Sequence, residues 1–226
     1  MIISGAFGLF RRDVVLEVGG LDARSLAEDA ELVVAVHQHL RRRRRPYRIV
    51  FVPDPVSWTE VPATRAVLGR QRRRWAHGLG QLLWKHRGML GNPRYGRIGL
   101  VVLPYYLAFE LLSPVFELVG VVTVAAGLAL GAVNLPFALL FGLAAFGYGM
   151  LLSVAALAIE EATYHRYQRW ADLGRCLAAC LAENVGFRQL HAWWRLRGLV
   201  AAIRRRPTTW GVMTRAGFSL EVKEPG

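Results

Sequence analysis

From Leu118 to Ile159 the chain runs 42 residues without one Asp, Glu, Lys or Arg. As helix that run is about 63 Å long at about 1.5 Å per residue. A hydrocarbon core is about 30 Å thick and takes about 20 residues per crossing. One crossing is too few and two fit. The break belongs at Asn134-Leu135-Pro136, because Pro136 cannot continue a helix cleanly. The expectation is two transmembrane helices within 98–160, a first over roughly 101–131 and a second over roughly 136–159. The first is longer than a crossing needs, which predicts tilt or a kink at Pro114. Glu110 and Glu117 lie on one face of its early part. A charge at mid-bilayer costs about 2.5–3.5 kcal/mol, so both are expected at the interface, against protein, or along a polar path.

Charge is distributed around that run. The chain has a net charge of +13, yet 54% of it is hydrophobic. Residues 1–97 carry +10, residues 98–160 carry −3 and residues 161–226 carry +6. So apolar a chain is not disordered, and the segregation argues against a simple soluble nucleic-acid binder. No nucleic-acid partner is expected. Two cysteines, Cys176 and Cys180, are too few for a disulfide scaffold and read as small buried side chains. Arginine-rich flanks on either side of the uncharged run place both termini on the cytoplasmic side of a plasma (inner) membrane. Residues 172–200 have an apolar stripe through Leu173, Leu177, Leu181, Val185, Leu190, Trp193 and Trp194, interrupted by arginines. They read as an amphipathic helix lying in the interface, its Trp residues at headgroup level, within a cytoplasmic 161–226 segment.

Residues 1–97 read as part of an α/β domain. Ile2–Phe10 and Ile49–Val52 have strand character, and Ala27–Leu40 and Ala63–Lys85 have helix character. Arg41–Arg45 is a run of five arginines closed by Pro46, expected as a solvated loop near anionic lipid. No RNA- or DNA-binding motif accompanies it.

Three constellations could carry chemistry. Glu28-Asp29 stands near a helix start. Adjacent helical residues do not share a face, so one carboxylate can face a cleft while the other supports the loop. Acidic residues there also simply suit the helix dipole. In Gln71-Arg72-Arg73-Arg74-Trp75, positions 71, 74 and 75 share a face through i,i+3 and i,i+4 spacing, with Arg72 and Arg73 pointing elsewhere. They offer an amide, a planar cation suited to a diphosphate and an aromatic platform suited to a sugar ring. An amphipathic interfacial helix is the competing reading. The third is Trp210-Gly211-Val212-Met213-Thr214-Arg215, with a flexible glycine and a further anion clamp.

These pieces come in a telling order: Ile3-Ser4-Gly5-Ala6, Arg11-Arg12, Val18-Gly19-Gly20, Glu28-Asp29, Gln71-x-x-Arg74-Trp75, then membrane helices. The order resembles the second half of the membrane-embedded family 2 glycosyltransferases, the group of cellulose, chitin, hyaluronan and poly-N-acetylglucosamine synthases. The resemblance implies that 1–97 is the C-terminal half of a GT-A domain, a nucleotide-sugar donor, a glycan acceptor and an embedding bilayer. It makes Asp29 the general base of an inverting transfer, with Glu28 beside it and Ala27 where the family has Thr. It makes Gln71, Arg74 and Trp75 the acceptor and diphosphate motif, and Ser4 and Gly5 the lining of the acceptor site. Trp210, Thr214 and Arg215 would be the gating segment, although their spacing differs from the family's. The family also uses a divalent metal, Mg or Mn, on a D-x-D motif. No D-x-D occurs in these 226 residues. The expectation is a C-terminal portion that needs a separate N-terminal catalytic half for donor, metal and turnover.

Overall fold

The structure, a computed structural model, describes residues 8–50, 52, 59–164 and 169–205. Its elements are α1 (Arg12–Glu17), α2 (Glu28–Arg42), α3 (Arg65–Lys85), α4 (Ile98–Leu111, wound partly as π-helix), α5 (Ser113–Ala129), α6 (Leu135–Tyr164), α7 (Trp170–Ala182) and α8 (Arg188–Ile203). Among the described residues there is no strand. This corrects the α/β expectation. The Ile2–Phe10 strand falls largely outside the described residues, and Gly8, Leu9 and Phe10 have no ladder partner. Ile49, Val50 and Val52 are exposed and unpaired as well. A short apolar run becomes a strand only when a neighbour accepts its backbone hydrogen bonds, and among the described residues no neighbour does so.

The chain forms two compact units. One comprises the chain up to Leu112 and from Trp194 on; the other is Ser113–Trp193.

In the first unit α2 is the central element. Glu28, Asp29 and Glu31 occupy its first turn and His39, Arg41 and Arg42 its last, matching the helix dipole at both ends. Leu32, Val36 and Leu40 recur at i, i+4 and i+8 and bury against Val14 of α1, with Val15, Val18 and Tyr47 closing the cluster. Val18-Gly19-Gly20 makes the turn between α1 and α2. Gly19 and Gly20 have φ of 89° and 78°, a region that other residues enter only with strain.

Helix α3 begins at the Thr64 cap, whose Oγ1 accepts from the backbone N–H of Val67 at 3.3 Å. Residues 194–203 of α8 lie against it on a seam of small residues. A Cβ added at Gly69 would stand 2.7 Å from the Trp194 indole, and one at Gly80 would stand 2.8 Å from Ala202 Cβ. One at Gly198 would overlap the Arg73 carbonyl oxygen and meet Ala76 Cβ at 2.8 Å. The contacts advance together along both segments, so the two run parallel. Glu110 of α4 pairs with Arg195 at 3.1 Å.

In the second unit α6 is long and apolar enough to cross a membrane, and only 6% of its most apolar window is buried. A soluble core helix would be mostly covered. Helix α5 meets the same test only together with α4, across a break at Leu112. Helix α7 packs on α6. The Asn184 amide donates to Ser153 Oγ at 3.3 Å and to the Cys180 carbonyl at 2.9 Å. Glu117 pairs with Arg188 at 3.4 Å. The single helix read over 172–200 is two helices, α7 and α8. Val185 and Gly186 leave helical geometry between them, with Gly186 at φ 81°.

Candidate active site

Helix α3 organises the candidate residues. Along it Gln71, Arg74, Gly78, Gln81 and Lys85 fall at i, i+3, i+7, i+10 and i+14, one continuous face. The loop and first turn leading into α2 lie on the far half of that face. A Cβ at Gly78 would come 2.9 Å from Ala27 Cβ and 3.1 Å from the Ala27 backbone nitrogen, so only glycine admits this approach. One turn on, Gln81 Oε1 accepts from the Leu26 N–H at 3.3 Å. One further turn on, Lys85 Nζ lies 3.0 Å from Asp22 and 2.7 Å from Glu31. Nε2 of His86 lies 3.2 Å from the same Glu31 oxygen.

These charges hold one another. The hydrogen bond with His86, against the cost of burial and aided by Lys85, keeps Glu31 below the usual carboxylate range. Lys85 first and Arg24 second hold Asp22 well below that range. Burial pulls Lys85 down, but its bonds to Glu31 and Asp22 outweigh it and leave the ammonium above its ordinary value. The start of α2 is thus fixed to α3 at three successive turns.

Glu28 and Asp29 are the first two residues of α2 and both are partly buried. Asp29 Oδ1 accepts from the Ala30 backbone N–H at 2.7 Å. Gln71 and Arg74 stand at the near end of the α3 face whose far half holds Leu26 and Ala27, and both are partly exposed. Leu26 and Ala27, which lead into the E-D element, thus pack on the far half of the α3 face whose near end carries the Q-x-x-R element, more than 40 residues away in sequence. Trp75 stands beside that face and is 48% exposed, open enough to stack on a sugar. Arg72 does not point away from it as expected. At i,i+3 spacing its guanidinium lies over the Trp75 ring, 4.4 Å from the centroid, and occupies one ring face. Ser4, Gly5, Trp210, Thr214 and Arg215 lie outside the described residues.

Asp22, Glu31, Gln81, Lys85 and His86 were not singled out from sequence. Signals existed: Gln81 and Lys85 continue the spacing from Gln71 and Arg74, and Glu31 sits three residues after Glu28 at a helix start. Among the described residues no group of three or more His, Cys, Asp or Glu could hold a metal ion. Glu31 and His86 already serve each other. The described residues do not fit a divalent metal site.

By chemical type a carboxylate can receive a proton, a guanidinium and an amide can bind an anion, and an open indole can stack a ring. The chain is 40% identical over 110 residues to a poly-beta-1,6-N-acetyl-D-glucosamine synthase of Staphylococcus aureus (strain COL), covering 49% of this chain and 25% of that protein. It is 38% identical over 76 residues to the probable glycosyltransferase YdaM of Bacillus subtilis (strain 168), covering 34% of this chain and 17% of that one. The aligned stretches thus span a quarter or less of these relatives' length. No solved structure matches. The family described as glycosyl transferase family group 2 matches over residues 1–159, well over half of the chain, and the chain belongs to that family.

Proposed function

We propose that the chain supplies the acceptor side of an inverting sugar transfer at the cytoplasmic face of a membrane. The transfer moves a hexose or N-acetylhexosamine from a nucleotide-sugar to a glycan acceptor, in polysaccharide synthesis. The observation that supports this is the packing of Leu26 and Ala27, immediately ahead of Glu28-Asp29, on the α3 face that further along bears Gln71 and Arg74. Asp29 takes the proton of the acceptor hydroxyl as that oxygen attacks the anomeric carbon. The bond from that carbon to the diphosphate breaks, and the electron pair leaves with the nucleoside diphosphate. Arg74 meets the diphosphate charge, Gln71 orients the acceptor, and the open face of Trp75 receives a sugar ring. In this reading Ser4 and Gly5 line the acceptor site, and Trp210, Thr214 and Arg215 close over the donor.

Residues 1–97 form the acceptor-side portion in this reading. Residues 98–160 make two crossings, α4 with α5 and then α6. Residues 161–226 return to the cytoplasmic face, and the arginines on both flanks support that orientation. The described residues do not fit a divalent metal, and this reading gives them no part in binding one.

The test is transfer from radiolabelled UDP-sugars by membranes carrying the chain, with and without the N-terminal portion of a family member. The name of the Staphylococcus aureus relatives makes UDP-N-acetylglucosamine the first donor to try. Asp29→Asn should lower transfer by roughly 10²–10⁴-fold. Full activity in that variant would remove Asp29 as the base. No transfer from an assembled and folded pair would favour a noncatalytic membrane protein that keeps the family sequence.

A further inference from the structure

The Arg41–Arg45 run has no part in the transfer chemistry, yet the fold gathers it at one place. Arg41 and Arg42 end α2, and the chain leaves through Arg44 at φ 54°. Arg42 Nε donates to the Tyr95 hydroxyl at 2.9 Å. The Arg41 guanidinium packs at Gly96, where an added Cβ would stand 3.4 Å from Cζ. The run therefore sits on the Pro93–Tyr95 turn, which carries Arg94 and passes through Arg97 straight into α4.

Neutralisation there is slight. Among the described residues Glu17 is the one carboxylate within ion-pair distance of the run. It is held by Arg45 at 2.7 Å, Arg43 at 3.2 Å and His39 at 2.8 Å. The tyrosine hydroxyls that receive Arg41 and Arg42 carry no charge to cancel theirs. A cleft of about 350 Å³ lined by Glu17, Gln38, His39, Arg42 and Arg43 opens beside the run. Directly after Arg97, α4 exposes Leu100, Val101, Tyr105 and Phe109, each by more than half.

Clustered guanidinium groups followed at once by exposed apolar helix match a headgroup layer followed by acyl chains. A nucleic acid would use the cations but not the apolar surface beside them. We propose that this arginine collar binds the phosphate headgroups of anionic lipid, a role separate from sugar transfer.

The test uses the full chain in detergent solution, titrated with phosphatidylglycerol or phosphatidylcholine and read by native mass spectrometry. Phosphatidylglycerol should bind at least about tenfold more tightly, and added salt should weaken it. The triple variant Arg44→Gln, Arg94→Gln, Arg97→Gln should lose that preference, and the matching Lys triple should keep most of it. Circular dichroism checks folding. If the Gln triple loses helix, Arg44→Gln alone together with the salt dependence of the unaltered chain decides. Equal binding of the two lipids would overturn the proposal. So would full displacement by inorganic phosphate at a concentration equal to that of the lipid, or tighter binding of a single-stranded RNA oligonucleotide. No outcome depends on transferase activity, so failure here leaves the transfer reading untouched.

Discussion

Lys85 Nζ lies 2.7 Å from Glu31 Oε1, joining the last residue of α3 to the first turn of α2 two residues past Asp29. The Glu31 side chain is 4% exposed and that of Lys85 49%. Removing a partner from a buried charge costs more than the pair itself contributes, while the half-exposed ammonium limits the Coulomb part. Lys85→Met should therefore cost about 1–2 kcal/mol, a fall in melting temperature of roughly 2–8 °C for a chain of this size. Glu31→Ala, which strips both Lys85 and His86, should cost more. Melting curves in detergent decide, and unchanged curves for both variants would mean the pair does not hold α2 in place.

The close approach at Gly78 gives a sharper test of the site. Even a methyl group there would press on Ala27, so Gly78→Val must push the start of α2 off α3. The cost should be about 1–3 kcal/mol. Hydrogen exchange should quicken at residues 25–31, while Val36 and Leu40 further along α2 stay protected by the α1 cluster. Uniform loss of protection along α2 would contradict a local displacement.

Helices α2 and α3 were legible because their periodicity runs on for four turns or more, and the observed ends differ from the expected ones by at most two residues. The uncharged apolar run announced α6 by its length rather than by any periodicity. The strand expectation fails because short apolar segments say nothing about the neighbour that a ladder needs. Gln71, Arg74 and Trp75 could be grouped by spacing alone. The close packing of Leu26 and Ala27 on α3 could not, since it depends on glycine at 78, one of 23 in the chain and unmarked by any local pattern. The α3 contact with α8 was hidden likewise. By composition Trp194 reads as a headgroup anchor, whereas the absent side chain of Gly69 gives it a seat on α3.

Glycines in these helices divide by what surrounds them, and that division is measurable. An added Cβ at Gly198 meets the Arg73 carbonyl and Ala76, whereas one at Gly174 in α7 meets nothing within 4 Å. Gly174→Ala should stabilise by roughly 0.4–1 kcal/mol through helix propensity and a less disordered unfolded chain. Gly198→Val should destabilise by at least about 1–3 kcal/mol through overpacking. Thermal melts of the two variants should move in opposite directions. A neutral Gly198→Val would mean that α8 does not rest on α3.

Acid should weaken the first unit through His37 before its carboxylates titrate. His37 is 8% exposed, and its Nδ1 meets the Tyr47 hydroxyl, which also accepts from Arg41 Nε at 3.3 Å. Burial, and then the Arg41 charge, push the imidazole down to about 4. The neutral ring is therefore the folded form, and Tyr47 donates its proton to Nδ1. Between the ordinary value near 6.5 and the folded value the unfolded chain binds the extra proton, so stability falls as pH falls through that window. Buried His77, lowered by burial and by Arg73, adds the same sign. The depressed carboxylates Glu17, Glu31 and Asp22 lose their contribution only below their unfolded values of 4.5, 4.5 and 3.8. From about pH 6.5 to about 4.5, His37 should account for about 2 kcal/mol of lost stability. Denaturant titrations across that range should show a shallower loss for His37→Phe than for the unaltered chain, with the two curves converging in slope above about pH 7. Parallel curves from about pH 6.5 down would mean that His37 titrates alike in the folded and unfolded chain.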